Sequence, residues 1–219
     1  MAPSPDTPGA GARPDHESEE DPGPGTDGRQ LRRQRNRDAV VEALLNLYRD
    51  GNLRPSTEEI AARSGVSPRS LFRYFDDVDD LNRTAMQGLQ ERVGHLFPIT
   101  VSRDEPLDVR VAALVDQRFR LYDAIGNAAV VARLRSPFQP ELAEQVHQNR
   151  TLFRGQIETL FARELADLPE GRAGRVLAAA DVLTTFEACQ LLTVDQGLGR
   201  DVAHVVIREA LTVLFRSAG

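Results

Sequence analysis

Four places in this 219-residue sequence carry residue types that could do chemistry. Gly23-Pro24-Gly25-Thr26-Asp27-Gly28 has GxGxxG spacing, which in a dinucleotide fold wraps a pyrophosphate where a strand turns into a helix. No strand pattern precedes it and Pro24 sits inside it, so the segment reads as low complexity. Glu144-x-x-His147 has the helical spacing of half a di-iron site, but such a site needs a second copy and further Glu residues. His16, His95 and His204 have no Glu three positions earlier, so no metal is expected. Cys189, the only cysteine, rules out an internal disulfide and a cysteine zinc site, and reads as a small buried hydrophobe. The nucleophile elbow, the HExxH zinc helix, the phosphate loop and the deaminase signature are missing from the sequence. The chain reads as a non-enzyme with no cofactor.

The fourth place is Arg54–Phe75, RPSTEEIAARSGVSPRSLFRYF. Ser56 followed by Glu59 is a capping box that opens a helix through Ile60 and Ala61. Gly65 suits the left-handed residue that closes it. Val66 can plug the space between two helices. Ser67 and Pro68 then give the preferred order at a helix start, leading into Arg69, Ser70, Leu71, Phe72, Arg73, Tyr74 and Phe75. Two short helices around a tight glycine turn, the second opening on polar and cationic residues, make a helix-turn-helix. Sorted by role, Pro68, Arg69, Ser70 and Arg73 are candidates for base edges. Thr57, Ser67 and Tyr74 are placed for phosphates. Arg32, Arg33, Arg35 and Arg37 add charge for phosphate or the adjacent minor groove. Ile60, Ala61, Val66, Leu71, Phe72 and Phe75 are expected in the core.

These residues resemble the TetR family of transcriptional regulators: Thr57-x-x-Ile60-Ala61-x-x-Ser64-Gly65-Val66-Ser67, then Leu71-Phe72-x-Tyr74-Phe75 and Leu81. The resemblance covers roughly residues 30–85, with Arg35–Arg49 similar to the family's first helix. It implies a double-stranded DNA operator, a homodimer built on the last two helices, and a small-molecule effector bound in the C-terminal helical domain. Thr185–Leu198 looks like the family's penultimate helix. The chain departs from the family at Asp76-Asp77-Val78, where a Lys is usual; one phosphate contact is lost and two carboxylates stand nearby.

Charge distribution fits that reading. The net charge of −6 argues against nucleic acid only until the chain is divided. Residues 1–28 hold one Arg against seven acids, whereas residues 29–75 hold ten Arg against five acids. A basic segment inside an acidic protein is the footprint of a face that meets phosphate.

The elements that must position this segment are helical almost throughout. Residues 1–28, with six Pro and five Gly, cannot bury enough surface to offset chain entropy and read as a disordered acidic tail. From Gln30 the apolar residues recur at three- and four-residue intervals. Breakers at Gly51, Pro55, Gly65, Pro98, Pro106, Pro137, Pro140, Pro169 and Gly197–Gly199 cut the chain into about nine helical pieces. The fold class is all-α, with residues 29–80 as the helix-turn-helix domain and 81–219 as the effector-binding and dimerisation domain. Expected helices there span Asp104–Gly126, Asn127–Ser136, Glu141–Leu165, Gly174–Gln196 and Asp201–Ser217. The last two look too apolar for one small domain to cover, so Val206, Leu211 and Leu214 are placed at a dimer seam. Arg118, Tyr122, His147, Thr184 and Glu187 are polar residues among apolar neighbours and are candidates for the effector site, although Thr184 and Thr185 can equally bond back to their own helix.

No apolar run reaches the length of a membrane span, since Asp181 and Glu187 interrupt the nearest, Val176–Val194. The N-terminus lacks the basic and apolar regions of a secretory signal. A cytoplasmic protein is expected. Two functions of different class fit: a ligand-responsive repressor released from a palindromic operator, and a helical interaction module that has lost operator binding.

Overall fold

The computed structural model describes residues 24–169 and 171–216, with side chains from residue 28 onward. Most of the expected acidic tail, residues 1–23, lies outside the described residues. Ten α-helices and no strand occur among the described residues. The first, α1 (Pro24–Arg49), begins earlier than the Gln30 expected from periodicity, with a proline in its first turn, where the missing N–H has no helical partner to lose. The turn after its end is made by Gly51, whose φ of 92° only glycine adopts readily.

Helices α2 (Thr57–Ser64), α3 (Pro68–Leu71) and α4 (Val78–Val93) complete an N-terminal unit. Its core holds Val40, Leu44, Leu45, Leu47 and Tyr48 of α1 with Ile60, Val66, Leu71, Phe75, Leu81, Ala85 and Met86. A cut at residue 80/81 therefore falls inside α4, which feeds Leu81 and Met86 to this core and Val93 to the next. Buried Tyr48 donates its hydroxyl to Asn82, which in turn bonds the Val78 carbonyl at 2.6 Å. Desolvation pushes the Tyr48 hydroxyl up to about 12, so it stays a donor.

The second core is built by α5 (Leu107–Arg135), α6 (Pro140–Leu160), α7 (Ala162–Ala166), α8 (Arg172–Leu183), α9 (Phe186–Gln190) and α10 (Arg200–Arg216). Phe161 and Phe215 stack at 4.2 Å at its centre. Helix α5 runs through both expected helices, Asp104–Gly126 and Asn127–Ser136, but with a kink: Gly126 has φ 45° and ψ −134°, a conformation that strains any side-chain-bearing residue. Just after it, Asn127 donates to the Tyr48 carbonyl at 2.9 Å.

Two expected helices are broken. Glu141–Leu165 stops at Phe161, which has non-helical φ/ψ between α6 and α7. Gly174–Gln196 breaks at Thr184-Thr185, where the Thr184 hydroxyl returns to the carbonyls of Ala180 and Asp181 and Thr185 caps α9 by accepting from Ala188 N–H. The local bonding of these threonines overrides the apolar pattern. A π-helical turn, Leu191–Asp195, follows. No single helix is long and apolar enough to cross a membrane among the described residues.

Candidate nucleic-acid interface and effector cavity

The helix-turn-helix forms as its caps require. The Ser56 hydroxyl accepts from Glu59 N–H, and the Glu59 carboxylate accepts from Ser56 N–H at 2.7 Å. The Ser56 N–H and hydroxyl, both donating to the Glu59 carboxylate, hold it below its ordinary range. Gly65 closes α2 at φ 70°, and Ser67 caps α3 by accepting from Ser70 N–H at 3.2 Å. Helix α3 is shorter than expected. After Leu71 the chain tightens through three-residue bonds, Arg73 N–H to Ser70 and Tyr74 N–H to Leu71, while Leu71 and Phe75 remain buried.

Phe72 corrects the expected core set. It is 52% exposed, because Leu71 and Phe75, four apart, take the inward row and leave it on the other side. This leaves an exposed aromatic next to the exposed Arg73.

Pro68, Arg69 and Arg73 are exposed, and neither arginine has an ion-pair partner among the described residues. Their charge is uncommitted. Ser70 is half-buried and its hydroxyl accepts from the Ser67 hydroxyl at 3.0 Å, so both serines are engaged at the cap. Half-buried Thr57 stands at the start of α2. Half-buried Tyr74 accepts from Asn36 Nδ2 at 3.0 Å, which leaves its O–H proton available to a phosphate oxygen. Arg32, Arg33 and Arg35 are exposed on α1. Arg37 is spent internally: it bonds the Thr84 hydroxyl at 3.2 Å and lies over the Phe75 ring. Of the two carboxylates after Phe75, that of Asp77 has a structural role, capping α4 by accepting from Asp80 N–H at 2.7 Å.

Between α4, α5, α6, α8 and α9 lies a cavity of about 490 Å³, within the size range of small-molecule sites. Tyr122, Thr184 and Glu187, three of the five expected effector residues, line it. Buried Tyr122 donates to the Thr184 carbonyl at 2.7 Å and meets Phe186 edge-on. Desolvation raises the Tyr122 hydroxyl, so it is a fixed neutral donor. Burial alone would raise the Glu187 carboxyl, but Arg133 and Arg150 bond it and hold it low. His147 is a correction: it is exposed on the outer side of α6, away from the cavity. Arg118 is buried but is not a wall residue; it bonds Gln117, Gln156 and the Phe153 carbonyl.

Sequence reasoning missed most of the wall. Met86, Leu121, Ile125, Ala128, Leu142 and Phe153 are apolar residues on helices, and nothing in their spacing separates a cavity wall from a packed core. No group of three or more metal-ligating side chains gathers among the described residues. Cys189 is buried, with its thiol pushed up to about 12 by desolvation, so it carries no reactive thiolate.

On α10 the residues divide by row. Ala203, Ile207, Leu211 and Phe215 are buried in their own chain's core, while Val202, Val205, Val206 and Val213 are 40–65% exposed. Leu211 thus leaves the expected seam, because it shares a four-residue row with the inward residues. Leu214 is partly buried against the core.

No family model matches the chain. It is 27% identical over 208 residues to the HTH-type transcriptional regulator TcmR of Streptomyces glaucescens, covering 90% of this chain and 85% of that one. Among solved structures, a tetR-family regulator from Streptomyces coelicolor matches at TM-score 0.65 and 20% identity over 84% of this chain and 82% of that one. A Rhodococcus regulator matches at 0.62 and 16%, over 84% and 96%. The multidrug binding protein EbrR, complexed with imidazole, matches at 0.52 and 21%, over 84% and 89%. These structures share the fold, and TcmR is matched along nearly the whole chain. Together with the capped helix-turn-helix and the two-core helical architecture, they show a chain similar to an HTH-type transcriptional regulator along nearly its whole length and sharing the fold of tetR-family regulators.

Proposed function

We propose that this regulator is a cytoplasmic, ligand-responsive repressor: it binds a palindromic operator as a homodimer and leaves it when a small molecule fills the cavity. Residues 29–80 would serve as the DNA-binding domain and 81–219 as the effector and dimerisation domain. One observation carries this reading. Met86, Ala128 and Leu142 line the cavity and are at the same time buried members of the N-terminal core. A ligand pressing on that wall presses on the packing that sets α1 and α4, and close-packed cores shift between discrete arrangements rather than yielding smoothly. Polar links run beside this shared wall: Arg135 and Gln139 both bond Asp79 at the start of α4, at 2.8 and 2.7 Å.

For the interface, Arg69→Ala should weaken operator binding by about 1–3 kcal/mol and relax the preference at one base position in each half-site. Fluorescence anisotropy against single-base operator variants measures both. Unchanged affinity and preference in Arg69→Ala and in Arg73→Ala would remove α3 from the base-reading role. Function as a whole is tested by electrophoretic retardation of the DNA flanking the gene at two salt concentrations. A repressor gives selective, salt-sensitive retention; a chain that retains no DNA at either salt is an interaction module instead.

A further inference from the structure

We propose that the effector is an apolar organic anion, a carboxylate, sulfonate or phenolate carried on a hydrophobic body. This rests on the reading of the cavity as the effector site and adds its charge class. The walls are mostly aliphatic and aromatic, with Tyr122, Phe153 and Phe186 contributing rings, so the body of the ligand must be apolar. The wall itself is balanced, with Arg133 and Arg150 against Asp181 and Glu187, and the surplus positive charge lies behind it. Arg133 and Arg150 converge on the single carboxylate of Glu187, at 2.6 and 2.9 Å. Arg154 faces Asp181, a wall residue, at 3.7 Å. The fourth guanidinium, Arg118, has no carboxylate of its own.

Arg118 is 1% exposed and donates only to neutral acceptors: Gln117, Gln156 at 2.8 Å and the Phe153 carbonyl at 3.1 Å. Its Nε makes no hydrogen bond. The guanidinium lies 4.4 Å from the centre of the Phe153 ring, directly behind a cavity wall. A buried cation without a counter-ion is costly, and a guanidinium cannot discard its proton as a lysine can. Arg118 and Arg154, which stand outside the wall, bring the arginines in and behind it to four against the two carboxylates of Asp181 and Glu187. Glu91, in the outer cleft between α4 and α6, is the further acid at the approach. A negative charge arriving in the cavity interacts with this excess at low dielectric, where attraction is strong. A cation meets the reverse.

The test uses a matched pair of dyes on the full chain. 1-Anilinonaphthalene-8-sulfonate and N-phenyl-1-naphthylamine share a ring system and differ by the sulfonate; rhodamine 6G serves as the cation. Titration by fluorescence should show the sulfonate binding about tenfold tighter than the neutral dye or more, with rhodamine 6G weaker than both. Arg118→Met and Arg150→Gln should each remove most of that preference and leave the neutral dye unchanged. Arg150 is exposed, so its variant decides the matter if Arg118→Met fails to fold by circular dichroism. Ala132→Phe, which fills the cavity, should abolish the signal of both naphthyl dyes and locate the site. The proposal is overturned if the neutral dye binds as tightly as the sulfonate, if the cation is preferred, or if both arginine variants keep the preference. If no dye gives a signal that Ala132→Phe removes, the effector-site reading falls as well.

Discussion

Val206→Asp should give a monomer by light scattering and lose about 10²–10⁴-fold in operator affinity, because two linked half-site contacts collapse to one. Val206 is 40% exposed and sits beside Val202 and Val205, while Val182 of α8 and Leu191 and Val194 after α9 are also exposed. A run of exposed valines and leucines on the last helical elements is an unusual surface for a lone chain and a usual one for a helical dimer face. The isolated fold should tolerate the aspartate, since the position is half open to water, so circular dichroism should remain helical. An unpaired carboxylate buried against the second subunit is the damaging event. A dimer of parental stability, or a folded monomer that binds the full operator as tightly as the parent, would refute the assignment of this face.

Arg110→Ala should cost about 3–5 kcal/mol of stability, the range for breaking a buried ion pair. Arg110 is 3% exposed. It donates to the Glu105 and Leu160 carbonyls at 2.8 Å each, grips both carboxylate oxygens of Glu164, and lies over the Phe161 ring. One side chain thus ties the start of α5 to the α6–α7 junction. The Arg110 bonds hold the Glu164 carboxyl below its ordinary range. A carboxyl depressed in the folded state binds its proton more readily when unfolded, so its contribution is present above the ordinary carboxyl range and is lost as pH falls through the lowered folded value. Urea melts of the parent should therefore weaken on acidification below about pH 4.5. The Glu164→Gln variant should lose that part of the pH dependence. Equal stability of Arg110→Ala and parent at neutral pH would contradict the account.

The helix-turn-helix was legible because short-range chemistry decides it. Ser56, Glu59, Gly65, Ser67 and Pro68 each act within four residues, and each forms the cap or turn that its type requires. Where tertiary packing chooses between faces, the sequence was silent. Phe72 and Leu71 are adjacent apolar residues, and only the row shared with Phe75 sends one outward. Leu211 and Val206 look alike on a helical wheel until the core of the same chain claims the row of Ala203, Ile207 and Phe215. His147 looked like a ligand residue because its neighbours are apolar, yet α6 turns it to the outside. The kink at Gly126 and the breaks at Phe161 and Thr184-Thr185 were hidden for the same reason: single residues overrule an otherwise continuous period. The cavity wall has no sequence signal, since an apolar residue facing a void and one facing a neighbour have the same type.

Selection of binding sites from randomised duplex DNA, followed by footprinting and salt titration of the winning sequence, tests the central claim most directly. The expected winners are palindromic, with half-sites about one helical turn, roughly 34–36 Å, or a multiple of it apart, protection on both half-sites and affinity that falls steeply with salt. No enrichment, or an asymmetric site protected by one chain, would contradict it.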